Sequence, residues 1–306
     1  MKLFITGGGG FIGRSLQKHL KHTKYMILAP THKELDISDE VSVDDFMNKH
    51  NPDIIIHTAN QGGGRNTVGL DNIIPYNLRM FFNIAKQAPK VQKIIHLGSG
   101  AEYGKHKPVI NVKEDEALQQ LPIDDYGFYK SICSRYIEQT DNIINLRIFG
   151  CYGELEDYRY KFISNAIIKN ILGLPITIHQ NVLFDYIYID DLIKIVLHTL
   201  THDMKYPIYN ASTGQKISIL DLAHIIDEVG PNNVPINILN DGMNLEYTSN
   251  NDRIKQEIPD LIFTSHQEGI KQLFSYFQEN LDTIDIETVK RDPYLKKCHT
   301  IWKPTS

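Results

Sequence analysis

The stretch Phe4-Ile5-Thr6-Gly7-Gly8-Gly9-Gly10-Phe11-Ile12-Gly13 runs from a short apolar segment into the start of an apolar-periodic one. Residues 3–6 read as a strand and 11–21 as a helix, so the glycines form a strand-to-helix turn. Gly7-x-x-Gly10-x-x-Gly13 and Gly8-x-Gly10-x-x-Gly13 both match the spacing that lets backbone approach a pyrophosphate closely. The first helical amides, at Phe11, Ile12 and Gly13, would then face that anion with the positive end of the helix dipole. A flexible surface loop would require neither a strand before it nor a helix after it, and here both flanks are present.

Outward from this turn, residues 25–29, 53–58, 93–97 and 143–148 read as further strands. Residues 43–49, 77–87 and 126–140 read as helices. Unbroken apolar runs such as Ile54-Ile55-Ile56 and Ile94-Ile95 suit strands buried on both faces. Strand–helix alternation with short links predicts an α/β chain, a Rossmann-type doubly wound parallel sheet. The second half is less regular. It predicts helices over 162–172, 190–200, 218–228 and 268–278, with a strand over 175–179. Ser218 is placed to cap its helix, with Asp221 at the third position. Breakers over 230–244 predict a loop. The expected division is a dinucleotide-binding domain over 1–152 plus about 181–212. A smaller mixed C-terminal substrate domain follows over 153–180 and 213–290, and then a tail over 291–306.

Composition narrows the function. The chain has 306 residues, 42% hydrophobic and 23% charged, with a net charge of −5. That balance gives no reason to expect a nucleic acid or an anionic membrane as partner. Three cysteines, Cys133, Cys151 and Cys298, are an odd number without a CxxC pair, so a reducing cytoplasmic setting is expected. The N-terminal residues lack the apolar stretch of a signal peptide, and no segment approaches the ~18 apolar residues of a membrane helix. No His/Cys/Asp/Glu spacing supports a metal site.

In Asp124-Asp125-Tyr126-Gly127-Phe128-Tyr129-Lys130-Ser131, Tyr126 and Lys130 stand four apart on one helical face. An ammonium beside a phenol favours the phenolate and lowers its pKa. A phenol so tuned exchanges a proton with a carbonyl or alcohol oxygen. With 16 tyrosines, one such spacing is expected by chance, and Tyr103 and Lys107 also match it, in a stretch that reads as loop. Ser99 supplies context. It follows the fourth strand, at the carboxyl edge where open α/β sheets bind ligands, and reads either as a donor to the same oxygen or as a turn serine among glycines.

Together these motifs resemble the extended short-chain dehydrogenase/reductase superfamily, in its nucleotide-sugar epimerase, dehydratase and reductase branch. The family's TGGxGFxG corresponds to Thr6–Gly13, its His-x-Ala to His57-Thr58-Ala59, and its helix asparagine to Asn77. Its Ser-x-x-x-Tyr-Gly corresponds to Ser99, Tyr103 and Gly104, and its YGxSK to Tyr126–Lys130, with Tyr129 where serine is usual. Its LRxxNxYG, RDFxYVDD and YNxGxG correspond to 146–153, 184–191 and 209–214. The resemblance implies that Tyr126 is the acid/base, Lys130 its tuner and ribose holder, and Ser99 the donor to the substrate oxygen. It implies that Gly7, Gly10, Phe11, Ile12, Gly13, Asp36, Ala59 and Asn77 line the dinucleotide. It implies that Ser99, Gly100 and Ala101 line a nucleoside-diphosphate sugar, and that the chain is a homodimer serving polysaccharide biosynthesis.

Departures sharpen the reading. Phe184 stands where an arginine often meets the diphosphate, which makes Arg159 and Arg253 the substitute candidates. Relatives that epimerise neighbouring carbons use a cysteine two residues after the serine and a later histidine. Here that position is Ala101, and no histidine lies between Gly153 and Ile178, which argues against a combined epimerase–reductase. No carboxylate follows Ala29 at the end of the second strand, as NAD-binding chains usually have. His32 and Lys33 stand there instead, either to meet a 2′-phosphate or as a solvated basic turn. The expectation is NADP(H), with NAD(H) as the alternative cofactor. The expected reaction is NADPH-dependent reduction of the 4-keto group of a nucleotide-linked 4-keto-6-deoxysugar. The alternatives are an NAD-dependent 4-epimerase and a regulator that senses the dinucleotide without chemistry.

Overall fold

The computed structural model describes residues 1–64, 67 and 70–298. Its strands are β1 (Lys2–Thr6), β2 (Met26–Leu28), β3 (Ile54–His57), β4 (Lys93–Ser99), β5 (Val109–Val112), β6 (Ile143–Ile148), β7 (Gly150–Tyr152), β8 (Ile176–Asn181), β9 (Leu183–Tyr188), β10 (Ile208–Ala211), β11 (Lys216–Ser218), β12 (Ile236–Met243) and β13 (Tyr247–Ser249). Its helices are α1 (Phe11–Leu20), α2 (Glu40–His50), α3 (Ile73–Ala85), α4 (Asp125–Ile137), α5 (Phe162–Ile171), α6 (Ile189–Thr201), α7 (Ile219–Val229), α8 (Asp252–Glu257), α9 (His266–Glu279), α10 (Ile286–Arg291) and α11 (Pro293–Lys296).

The main sheet has six strands in the order β10-β6-β4-β3-β1-β2, and every pairing in it is parallel. Its apolar runs are divided between two layers. Leu3, Ile5, Ile54, Ile56 and Ile95 join one buried cluster, with Leu192 and Ile195 of α6. Phe4, Ile55 and Ile94 join the other, with Phe81 of α3 and Ile137 of α4. Period-two alternation across a sheet covered on both faces therefore requires a hydrophobic residue at every position. From β1 the chain turns to β2 on one side and to β3 on the other, so the turns after β1 and β3 flank a topological switch point, where such sheets bind ligands.

The smaller lobe holds a sheet ordered β11-β9-β13-β5, with β7 pairing β9, and a two-stranded ladder of β12 with β8. β11 runs antiparallel to β9 while the other pairings are parallel, so this lobe is mixed. The loop expected over 230–244 is corrected by β12, whose Ile236–Ile238 register with Ile176–Ile178. Breakers such as Asn240 and Gly242 sit at a register shift instead of ending the strand. Asp190 and Asp191 lie in the first turn of α6 and do not cap it; buried Asp191 accepts from Thr264 N at 2.7 Å. Ser218 does cap α7, with Oγ accepting from Asp221 N at 3.0 Å. In the stretch read as a tail, Tyr294 of α11 packs against Phe162, and residues 299–306 lie outside the described residues.

Candidate active site

The glycine turn has the geometry its spacing implied. Gly7 has φ of 67°, which favours glycine, and a side chain there would come within 2.7 Å of Ala59 at the end of β3. A Cβ on Gly13 would lie 2.3 Å from the Gly7 carbonyl, so α1 packs on the turn only because Gly13 has none. Gly10 caps α1 without any side-chain hydrogen bond, which leaves the first-turn amides at Phe11, Ile12 and Gly13 uncapped by side chains. An open cradle of this kind fits a dinucleotide pyrophosphate.

Ser99 ends β4 and is 7% exposed. Its Oγ accepts from Ala101 N at 3.1 Å, while the Glu102 carboxylate accepts from Ser99 N at 2.9 Å. With a lone pair so used, the Ser99 hydroxyl keeps its proton for another acceptor, and the Tyr126 and Tyr247 hydroxyls both lie within its hydrogen-bond reach. Behind it, the buried Glu102 carboxylate pairs with the Arg147 guanidinium, whose other nitrogens donate to Tyr103 Oη, Glu114 O and Ser134 Oγ. Tyr103 Oη donates to Asn210 Oδ1 at 2.7 Å. A fully buried charge pair is tolerated only when its remaining donors and acceptors are satisfied, and this network fixes the serine turn from below. Tyr103 is thereby structural and makes no helical pair with Lys107.

Asp124 caps α4 by accepting from Gly127 N at 2.8 Å, and this places Tyr126 and Lys130 on the helix's first turns. Ser99 lies within hydrogen-bond reach of the Tyr126 phenol and lowers its pKa, but burial outweighs this and pushes the phenol up to about 12. The carboxylates of Glu102 and Asp124 push it the same way. The net shift runs opposite to the lowering expected from Lys130, because burial is the largest cause. Lys130 is 3% exposed, its Nζ donates to Leu97 O at 2.6 Å, and burial pushes the ammonium below its ordinary value. In this state Tyr126 keeps its proton.

Other expected residues are distributed as follows. Asn77 holds the main chain of Gln61 at both ends, accepting from its N–H at 2.8 Å and donating to its carbonyl at 2.9 Å. It thereby secures the loop after β3. Ala59 N donates to Thr6 Oγ1 at 3.3 Å, tying the two switch-point turns together. Asp36 accepts from Ser38 N and Oγ, and His32 and Lys33 are exposed beyond β2. Gly100 and Ala101 are buried in the turn after Ser99. Arg253 is not brought to this site. It pairs with Asp115, lies over the Tyr206 ring and donates to Ile208 O, at the end of β10 opposite the carboxyl edge. The fork of Arg159 is taken up by Asp157 at 2.8 and 2.9 Å.

One residue here was missed in the sequence. Tyr247, from β13 of the smaller lobe, is 6% exposed and its buried hydroxyl completes no well-formed hydrogen bond. It lies beside Ser99 and would come within 2.4 Å of any Cβ at Gly100. The three-residue strand that carries it has no periodicity to announce it. Among the described residues no cluster of His, Cys, Asp or Glu is arranged to hold a metal, and no helix is long and apolar enough to cross a membrane.

Residues 3–212 match the model of the NAD dependent epimerase/dehydratase family. The chain is 25% identical over 255 residues to a GDP-L-colitose synthase of Yersinia pseudotuberculosis, covering 75% of this chain and 82% of that one. In structure it resembles a UDP-glucose 4-epimerase of Thermotoga maritima, with a TM-score of 0.79 at 20% identity over 92% of this chain and 100% of that one. It equally resembles a GDP-mannoheptose C4 reductase of Campylobacter jejuni with NADP bound, at a TM-score of 0.79 and 19% identity, covering 90% of this chain and 98% of that one.

Proposed function

The chain belongs to the NAD dependent epimerase/dehydratase family, and from that premise we propose that it reduces the 4-keto group of a nucleoside-diphosphate 4-keto-6-deoxysugar with NADPH. The observation that carries the reading is a protonated Tyr126 within hydrogen-bond reach of the Ser99 hydroxyl at the carboxyl edge of β4. A ketone becoming an alcohol requires a proton on its oxygen as hydride reaches its carbon. Ser99 donates a hydrogen bond to that oxygen, and Tyr126 transfers its proton there. The dinucleotide, when bound, supplies the hydride. Lys130, anchored on Leu97 O, offers its other N–H groups to the ribose. The Gly7–Gly13 turn and the uncapped start of α1 take the pyrophosphate, and exposed Lys33 and His32 take the 2′-phosphate.

We also infer a homodimer through α3 and α4. On these helices the apolar residues Phe81, Ile84, Cys133 and Ile137 are core. Phe82 and Tyr136, in edge-to-face contact at 5.2 Å, are each 39% exposed, and Leu78 and Ile132 are half-buried beside them. The function is tested by incubating purified protein with NADPH and nucleotide-linked 4-keto-6-deoxysugars. Stoichiometric loss of NADPH absorbance is expected. Protein that purifies with bound NAD and interconverts two sugar epimers without net cofactor loss would overturn reduction in favour of epimerisation.

A further inference from the structure

The Tyr126 ring is held on more than its hydroxyl. After β3 the chain runs through Asn60-Gln61-Gly62-Gly63-Gly64, and its path is pinned at Gln61 by Asn77. Asn60 Nδ2 donates to Gly62 O at 3.0 Å, which tightens the turn. Gly62 and Gly63 both have positive φ, of 95° and 82°. A Cβ on Gly63 would lie 2.4 Å from Cε2, 2.5 Å from Cζ and 2.9 Å from Cδ2 of Tyr126. The bare backbone of Gly63 is therefore packed directly on the phenol that carries the proton.

A second contact comes from Tyr129, at the position where the family's motif usually has serine. Its ring meets that of Tyr126 edge-to-face, with centroids 5.4 Å apart and planes at 88°. The Lys130 ammonium lies 5.5 Å from the Tyr129 ring centre. The Tyr129 hydroxyl is buried with no hydrogen-bond partner, so its ring is what this position contributes. A hydroxyl buried unpaired costs stability, and a phenylalanine would avoid that cost.

We propose that Gly63 and Tyr129 together clamp the Tyr126 ring and are positioning residues for the proton it carries. The clamp rests on the reading of Tyr126 as the acid of the reduction. Proton transfer needs the donor oxygen within hydrogen-bond reach of its acceptor, and a displaced ring loses rate without losing substrate affinity. Gly62 provides a matched control. It has the same unusual φ, but a Cβ there would meet only methyl and methylene carbons of Ile73, the nearest at 3.1 Å.

The experiment compares Gly63→Ala, Gly62→Ala, Tyr129→Ala and Tyr129→Phe in the intact protein. Steady-state NADPH oxidation is one readout. NMR of isotope-labelled tyrosine, with the Tyr126 signal assigned by Tyr126→Phe, is the other. Gly63→Ala is expected to lower kcat about tenfold or more with KM moved less than about twofold, and to displace the Tyr126 signal. Tyr129→Ala should do the same, Tyr129→Phe should recover by keeping the ring, and Gly62→Ala should match the parent protein. The clamp is overturned if Gly63→Ala leaves kcat and the Tyr126 signal unmoved, or if Gly62→Ala is equally impaired. It is also overturned if Tyr129→Ala behaves as the parent, which serves if Gly63→Ala does not fold. If the parent protein turns over no 4-keto sugar, the substrate reading fails and the Tyr126 signal alone judges the clamp.

Discussion

Lys130 Nζ donates to the carbonyl of Leu97, two residues before Ser99, at 2.6 Å. Helix α4 is thus fastened to the strand that ends in Ser99, so Lys130 ties the two proposed catalytic elements together by position as well as by charge. Tyr126, one turn away, is governed by burial, Ser99 and the carboxylates of Glu102 and Asp124. The pair therefore rests as a neutral phenol and an anchored ammonium, the protonation state that the proposed reduction needs.

If Tyr126 gives that proton, Tyr126→Phe should fold and bind dinucleotide normally but lose turnover by about 10²–10⁴-fold, the usual worth of a general acid. Ser99→Ala should lose less, since Ser99 donates a hydrogen bond and transfers no proton. Near-normal turnover in Tyr126→Phe, by NADPH absorbance, would refute the assignment.

The direction of the Tyr126 shift sets the pH dependence. Its pKa is raised from an ordinary value of about 10 to about 12. The acid form needed for reduction is then present from about pH 6 to about pH 9, and reduction should be flat there on its account. The reverse oxidation needs the phenolate and should rise about tenfold per pH unit over the same range. A reduction rate that falls through neutrality by an ionisation absent from Tyr126→Phe would contradict this.

A second titration concerns stability. His57 and His96 stack at 5.2 Å in the floor of the site, each 2% exposed, and neither ring nitrogen of His96 has a partner. Burial holds His57 down to about 3 and His96 well below its ordinary value, with the nearby Lys130 ammonium adding to both. Both are neutral when folded, while the unfolded chain takes up protons below about 6.5. Depressed pKa values leave stability intact above that pH and drain it as pH falls toward about 3, by up to about 1.4 kcal/mol per pH unit for each excess proton. His96→Phe, which keeps the stack and removes two unpaired nitrogens, should flatten the acid limb of a urea-unfolding series. An unchanged limb would exclude His96 as a contributor.

The parts legible in sequence were those under strong local constraint. The Gly7–Gly13 turn was readable because each glycine answers one steric demand, and β3 and β4 because burial on both faces demands unbroken apolar runs. Helix α3 was read four residues late, because Pro75 argues for a break, yet it sits in the first turn, where no amide is needed. β12 was hidden because an exposed ladder tolerates Asn240 and Gly242. Tyr247 and the Gly63 contact come from segments distant in sequence from Tyr126, where only tertiary packing makes the neighbourhood. The place of Arg253 is illegible in sequence because a guanidinium reads the same whether it awaits a diphosphate or pairs with Asp115.

The proposed dimer surface makes a sharp test because the exposed apolar area on α3 and α4 is small and local. Phe82 and Tyr136 present adjoining ring surfaces on neighbouring helices, while Phe81 beneath them is core. The parent should be a dimer by light scattering at micromolar concentration, and Phe82→Glu should leave the fold intact and yield a monomer. A monomeric parent refutes the interface, and a Phe82→Glu dimer places it elsewhere.

The last prediction concerns cofactor choice at the end of β2. The carboxylates closest in sequence are engaged locally by one oxygen each: Glu34 accepts from Thr31 N at 2.7 Å and from Thr31 Oγ1 at 2.9 Å, and Asp36 accepts from Ser38. Lys33 and His32 project from the same turn into solvent. A 2′-phosphate would meet a positive group there and a bare hydroxyl would gain little, so discrimination should reside in Lys33. Lys33→Ala should raise KM for NADPH about tenfold, the scale of one charge-assisted contact, while KM for NADH moves less than about twofold. Equal changes for both cofactors would show that Lys33 serves only solubility or steering, and would remove the main support for NADPH over NADH.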